Sequence, residues 1–284
     1  MRLIVTADLH VNHARSRPLA EKAIEEINAT RGDALLLVGD TATGEGNALE
    51  EALSRIKFDG PKLFVAGNHE LWSRQPNTLV LFEQDLPRRV EALGWHWLES
   101  RPITIDSVSF VGSVGWYDYS FAPASLHIPH RFYAAKISPG AAERTEEWQN
   151  LLEDADDVPA SAMEIVARWN DGKHIRLGMS DEDFLEARLS QLQTSLDECG
   201  DRIVAAIHHV PFAALLPPRA TPTWDFARAY LGTEKLGELL AVDRRVSHLF
   251  CGHSHFPIET SVGHLRAVNI GSGYRQKFVK TIEL

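Results

Sequence analysis

Five apolar runs, each closed by a short polar cluster, constrain this chain more than any other feature. The runs are Leu3 to Ala7, Ala34 to Val38, Lys62 to Ala66, Ile203 to Ile207 and Ser247 to Cys251. Short runs rich in Val, Ile and Leu, with no polar alternation, predict strands buried on both faces of an α/β sheet. The clusters that close them are Asp8-Leu9-His10, Gly39-Asp40, Gly67-Asn68-His69-Glu70, His208-His209 and Gly252-His253-Ser254-His255. In such sheets ligands bind beyond the carboxyl ends of the strands. Carboxylates, imidazoles and one amide gathered at those ends point to a shared metal site.

Between the runs the periodicity changes from strand to helix. Pro18 to Ala29 sets Leu19, Ala23, Ile24 and Ile27 on one helical face, with Pro18 near the start. Helices are predicted over about 47–56, burying Leu49, Ala52, Leu53 and Ile56, and over about 78–93. Strand and helix in alternation predict parallel strands joined by crossover helices. Ile103-Thr104-Ile105 and Val108 to Gly112 read as a hairpin around Asp106-Ser107 that opens a second, less parallel sheet. Ser180 is placed to cap a helix over 181–196, and a further helix is expected over 233–241. Residues 265–270 and 278–284 read as closing strands.

The pattern breaks over about 116–178, where aromatic residues are dense and an acidic run (Glu153, Asp154, Asp156, Asp157) appears. Two short helices are predicted there, over 141–152 and 161–169. The expected organisation is one domain over 1–284, with an insertion or cap at 116–178. The aromatic content argues against disorder in that segment.

Composition narrows the function. A chain of 284 residues can bury a full core. A net charge of −10 leaves no evident nucleic-acid track, since a general binder would show a basic face. It does not exclude a phosphate substrate, because bound divalent cations reverse the local sign. No apolar stretch approaches membrane-spanning length, and Asp8 lies too near the start for a cleaved leader. Two cysteines, Cys199 and Cys251, are too few for a disulfide framework. The expectation is a cytoplasmic protein with no membrane partner; its oligomeric state is left open.

Two divalent cations side by side need a bridging carboxylate and several donors on each flank. Asp8-x-His10 puts a carboxylate and an imidazole on one face of an extended chain, and His253-x-His255 repeats that geometry with two imidazoles. Asp40, alone after its strand, is the natural bridge. Asn68 offers a carbonyl oxygen and His208 a further imidazole. This mixed nitrogen and oxygen set without thiolates suits Mn, Fe, Zn or Ni, with Mn favoured.

Taken together, in order, these five blocks resemble the signature blocks of the calcineurin-like metallophosphoesterase superfamily, over residues 8 to 255. The resemblance implies an α/β fold, a four-layer α/β/β/α sandwich of two mixed sheets with two metals between them. It implies one metal on Asp8, His10, Asp40 and His255, and a second on Asp40, Asn68, His208 and His253. Either His208 or His209 fits the fourth block. His208, directly after its apolar run, is the preferred ligand, and His209 is left for support or substrate contact. The family's second block commonly carries Asp or Asn at the position of Thr43, a residue that often orients the block-three histidine; Thr43 puts the polarisation of His69 in question.

The function implied is hydrolysis of a small organic phosphate or nucleotide-type ester, monoester or diester, by a hydroxide bridging the metals. Asn68 is expected to steady phosphoryl oxygens and His69 to protonate the leaving alkoxide. Tyr117, His209 and Arg275 are candidate substrate contacts, with His127, His130, Arg131 and Arg219 as weaker ones. The rival from another class is a non-catalytic module that keeps the fold and binds a protein partner through the insertion.

Overall fold

The computed structural model describes residues 1–153 and 155–284; Asp154 of the acidic run lies outside the described residues. Strands β1 (Arg2–Thr6), β2 (Ala34–Val38), β3 (Lys62–Val65), β4 (His96–Trp97), β5 (Ile103–Ile105), β6 (Val108–Ser113), β7 (Ile203–Ile207), β8 (Val246–Cys251), β9 (Ile258–Val262), β10 (Leu265–Asn269) and β11 (Lys280–Glu283) form two sheets. The first runs β11-β1-β2-β3-β4 and the second β5-β6-β7-β8-β10-β9. β1 to β4 are mutually parallel, with β11 antiparallel at the edge. In the second sheet β6, β7, β8 and β10 are parallel and both outer strands antiparallel.

Alternation along the buried strands builds the layers. Leu3, Val5, Leu36, Val38, Leu63 and Val65 from the first sheet pack against Phe110, Val204, Ala206, Phe250 and Val268 from the second. The opposite faces, with Ile4, Leu35, Leu37 and Phe64 on one sheet and Val111, Ala205 and Leu249 on the other, pack under helices. The result is the four-layer α/β/β/α arrangement. Facing sheets bring the carboxyl ends of β1, β2 and β3 opposite those of β7 and β8, which assembles five distant clusters into one place.

Local elements follow the residues closely. The first helix spans Arg17–Ala29 and buries Ala20, Ala23, Ile24 and Ile27, while Leu19 is half-buried. The second spans Ala48–Arg55. Ser180 caps the long Asp181–Asp197 helix by accepting the Asp183 N–H at 3.0 Å. A helix over Glu234–Val242 starts at a Thr233 cap. The β5–β6 hairpin turns through Asp106 and Ser107, with φ of 46° and 67°, the primed turn that matches strand twist.

Some expectations are corrected. The helix predicted over 78–93 widens to a π-turn over Leu81–Asp85 before continuing through Leu86–Glu91. Pro87 has no N–H to return to the Glu83 carbonyl, so the ladder is broken there. In the β6–β7 connection, the helix predicted over 141–152 divides into Pro139–Glu143 and a 3₁₀ segment Glu146–Leu152. The one over 161–169 shortens to Ala160–Met163, because Ala167 and Trp169 bond to Ser138 and Lys136 instead. β4 and β9 were not predicted: one is two residues long, the other a half-exposed edge strand without an apolar run. Among the described residues no helix is long and apolar enough to cross a membrane.

Candidate metal centre

Each cluster begins where its strand stops. Asp8, His10, Asp40, His253 and His255 all have positive φ, between 46° and 64°. Non-glycine residues in this region are strained, and such strain collects at functional sites when surrounding structure enforces it. Here the enforcement is visible: the N–H groups of Asp8 and His10 donate to the carbonyls of Gly39 and Asp40, both at 2.9 Å. The Glu70 carboxylate straps the β2 and β3 loops together by accepting from the N–H groups of Asp40, Thr41, Ala42 and Gly67 at 2.7–3.0 Å. Across the site, Asn269 Nδ2 donates to Ser254 Oγ at 2.8 Å and steadies the His253-Ser254-His255 turn. Glycine is required before Asn68, because a Cβ on Gly67 would lie 2.2 Å from Asp40 Oδ1.

Two donor clusters result, one of Asp8, His10, Asp40 and His255 and one of Asp40, His208 and His253. Asp40 belongs to both. Its Oδ1 is 3.4 Å from His208 Nε2 and its Oδ2 3.7 Å from His10 Nε2. His255 Nε2 lies 3.5 Å from Asp8 Oδ1 and 3.0 Å from His10 Nε2. Among the described residues the buried atoms Asp8 Oδ2, Asn68 Oδ1 and His208 Nε2 have no hydrogen-bond partner. Buried polar atoms are seldom left unpaired, so unsatisfied oxygen and nitrogen acceptors on residues in and beside the two donor clusters fit divalent cations.

The electrostatics agree with that fit. Burial, and then the Asp8 carboxylate, push the Asp40 carboxyl well above its ordinary range; cations between the two would reverse this. Burial, and then neighbouring imidazoles, push His10 and His253 well below the usual histidine value. They are therefore neutral, the form that binds metal. Lys277, whose Nζ donates to the Asp8 carbonyl, is lowered to about 8, chiefly by burial.

A cavity of about 270 Å³ opens over the clusters. Asp40, Asn68, His69, His253 and His255 line its floor, and Trp72, Trp169, Trp224, Tyr274 and Arg168 stand around it.

A family model described as calcineurin-like phosphoesterase matches residues 1–257. The chain belongs to the calcineurin-like phosphoesterase family. It is accordingly a metal-dependent phosphoesterase. A search of curated proteins found no match. Among solved structures, a phosphopantetheinyl hydrolase from Mycobacterium tuberculosis aligns at 19% identity and a TM-score of 0.69, covering 96% of this chain and 89% of that one. A dimetal phosphatase from Danio rerio aligns more loosely, at 12% identity and a TM-score of 0.46, covering 99% and 91%. At 19% identity the likeness to the hydrolase is one of fold.

In this phosphoesterase the polar residues singled out from sequence fall into two groups. Asp8, His10, Asp40, Asn68, His69, His208, His253 and His255 converge. His208, not His209, stands in the donor cluster with Asp40. His209 is fully buried, with Nδ1 2.7 Å from the Val114 carbonyl oxygen. Tyr117 is also fully buried, and its hydroxyl donates to Asp171 Oδ2 at 3.1 Å. Arg275 is exposed, and Tyr274 turns to the cavity in its place. None of Tyr117, His209 and Arg275 lines the cavity. His130 and Arg131 are engaged elsewhere, with Glu182 and Asp157, and Arg219 pairs with Asp225.

Sequence reasoning missed Trp72, Trp169 and Asp171. Thr43 Oγ1 accepts from Asn12 Nδ2 at 3.3 Å, and among the described residues it shares no hydrogen bond with His69. The His69 ring instead stacks on Trp72, with centroids 3.7 Å apart and 23° between planes. Trp72 three residues after His69 was the available signal, since that spacing returns a side chain to the same side of a helical turn.

Proposed function

We propose that the protein is a dinuclear metal-dependent hydrolase of small organic phosphates or nucleotide-type esters, with Asp40 bridging the two ions. The observation that carries this reading is the membership of Asp40 in both donor clusters. Asp8, His10, Asp40 and His255 would hold one ion, and Asp40, His208 and His253, joined by Asn68, the other. The donor set, four imidazoles with carboxylate and amide oxygens and no thiolate, suits Mn, Fe, Zn or Ni, and Mn is the ion taken for the test. Two ions held there would supply positive charge for the phosphoryl oxygens and acidity for an attacking water. The chain's own residues do the rest. Trp72, Trp169 and Trp224 line the cavity and keep water from its floor, and Arg168, also in the lining, adds positive charge for an anionic substrate. His69, beside Asp40 with Nε2 3.9 Å from Oδ2 but outside both clusters, gives a proton to the leaving oxygen. Residues 116–178 act as an insertion that builds one wall of the cavity, and the small cavity volume favours a small ester over a polymer.

The test is the initial rate on bis(p-nitrophenyl) phosphate and on p-nitrophenyl phosphate after loading with Mn²⁺, beside Asp40→Ala. Metal-dependent turnover that Asp40→Ala abolishes is expected, and the faster substrate assigns diester or monoester preference. Turnover that survives Asp40→Ala at the wild-type rate would sink the bridging role.

A further inference from the structure

We propose that Asp171 is a positioning residue, a carboxylate from the β6–β7 connection that decides which end of the Asn68 amide faces the second ion. This rests on the two-metal reading above.

Asp171 has no exposed surface. Its Oδ1 accepts from Asn68 Nδ2 at 2.8 Å and from Trp72 Nε1 at 2.7 Å. Its Oδ2 accepts from Trp169 Nε1 at 2.7 Å and from the Tyr117 hydroxyl at 3.1 Å. All four donors are neutral, and among the described residues no Lys, Arg or His lies within ion-pair distance of this carboxylate. A buried charge left unpaired is costly, and a hydrophobic residue of similar size would pack there without that cost. The arrangement makes sense if the acceptor itself is what the site requires.

An asparagine amide has a donor end and an acceptor end of nearly the same shape. Rotated one way, Asn68 offers a carbonyl oxygen to a cation; rotated the other way, it offers an NH₂ that repels one. A carboxylate only accepts. Asp171 therefore binds the NH₂ end and leaves Asn68 Oδ1 buried and without a partner among the described residues, on a residue that lines the cavity over the donor clusters. The opposite rotamer would set two oxygens against each other across the same 2.8 Å contact. The same carboxylate also holds the N–H groups of Trp72 and Trp169, two walls of the cavity, so one group couples wall position to ligand orientation. A second tie keeps the segments in register: His174 stacks on Trp72 with centroids 4.7 Å apart, and its carbonyl accepts the Ser73 N–H at 2.9 Å.

The experiment counts Mn²⁺ per chain by elemental analysis after loading and desalting, and measures the affinity of the second ion by calorimetric titration. Asp171→Asn should weaken the second ion roughly 10- to 100-fold, the usual cost of losing a group that orients a ligand, and leave the first in place. The decisive variant is the exchange Asn68→Asp with Asp171→Asn, which swaps donor and acceptor across the pair. It should regain most of the lost affinity, which a merely structural role for Asp171 would not do. If Asp171→Asn alone does not fold, the exchange variant decides: two ions held supports the assignment and one ion held overturns it. Two ions bound with wild-type affinity in Asp171→Asn would overturn the assignment alone. A wild-type protein that holds fewer than two ions would overturn the two-metal reading, and the assignment with it.

Discussion

His69 shows how much one side chain depends on its surroundings. It lies 12% exposed beside Asp40, and its backbone N–H donates to Asp40 Oδ1 at 2.9 Å. The ring is set by stacking on Trp72 rather than by an acidic partner, and face-to-face contact fixes a plane without adding charge. Proton donation matters for a poor leaving group and little for a good one. His69→Ala should therefore slow an alkyl phosphate by about 10² to 10⁴ and a p-nitrophenyl ester far less. Trp72→Ala should show the same leaving-group bias, more weakly, and should add nothing selective on top of His69→Ala. Equal slowing of both substrates by His69→Ala would remove the proton-donor role.

Elements carry strain and buried charge that no single contact explains. The π-turn over Leu81–Asp85 accommodates Pro87, and the primed turn at Asp106-Ser107 aligns β5 with β6. Just after β4, Glu99 is buried with Oε1 unpaired. Burial pushes its carboxyl up to about 8, offset in part by Arg188 on the Asp181–Asp197 helix. A carboxyl raised in the folded state binds more protons folded than unfolded, so its contribution is fully present below the unfolded value of 4.5 and is lost as pH rises through about 8. Glu99→Gln should consequently stabilise the protein at pH 8 to 9, on the order of one to a few kcal/mol, and leave it unchanged near pH 4. Thermal unfolding across that range checks it; a stabilisation independent of pH would show that packing, not charge, is the cause.

At the scale of the whole molecule the two sheets meet at a shared seam of donors. The first sheet supplies Asp8, His10, Asp40 and Asn68, and the second His208, His253 and His255. Ions bound there would staple the sheets together, and any ligand that binds only the folded state raises its stability. Free Mn²⁺ at about 100 times its dissociation constant contributes about 2.7 kcal/mol. For 284 residues, with an unfolding entropy of about 0.6 kcal/mol/K, that is about 4 to 5 °C in Tm. Chelation should lower Tm by that amount, Mn²⁺ should restore it, and Asp40→Ala should respond to neither. A Tm indifferent to chelator in the wild type would mean that the seam holds no ion that matters to the fold.

The residues alone were enough for the strand ends, the crossover helices and the convergence of Asp8, His10, Asp40, Asn68, His69, His208, His253 and His255. Those features are local: an apolar run stops, a polar cluster follows, and the fold rule places every such end on one side of its sheet. The preference for His208 over His209 was also local, resting on His208 directly following its apolar run, and His208 is the one that stands in a donor cluster with Asp40. What the tertiary structure decided was every relation between segments far apart in sequence. Asp171 meets Asn68 across 103 positions, and nothing in the pattern around either residue announces the other. Tyr117 is buried and Arg275 is exposed because the path of the β6–β7 connection and the turn after β10 set their directions. A hydrogen bond between distant residues leaves no period in a sequence, and only packing reveals it.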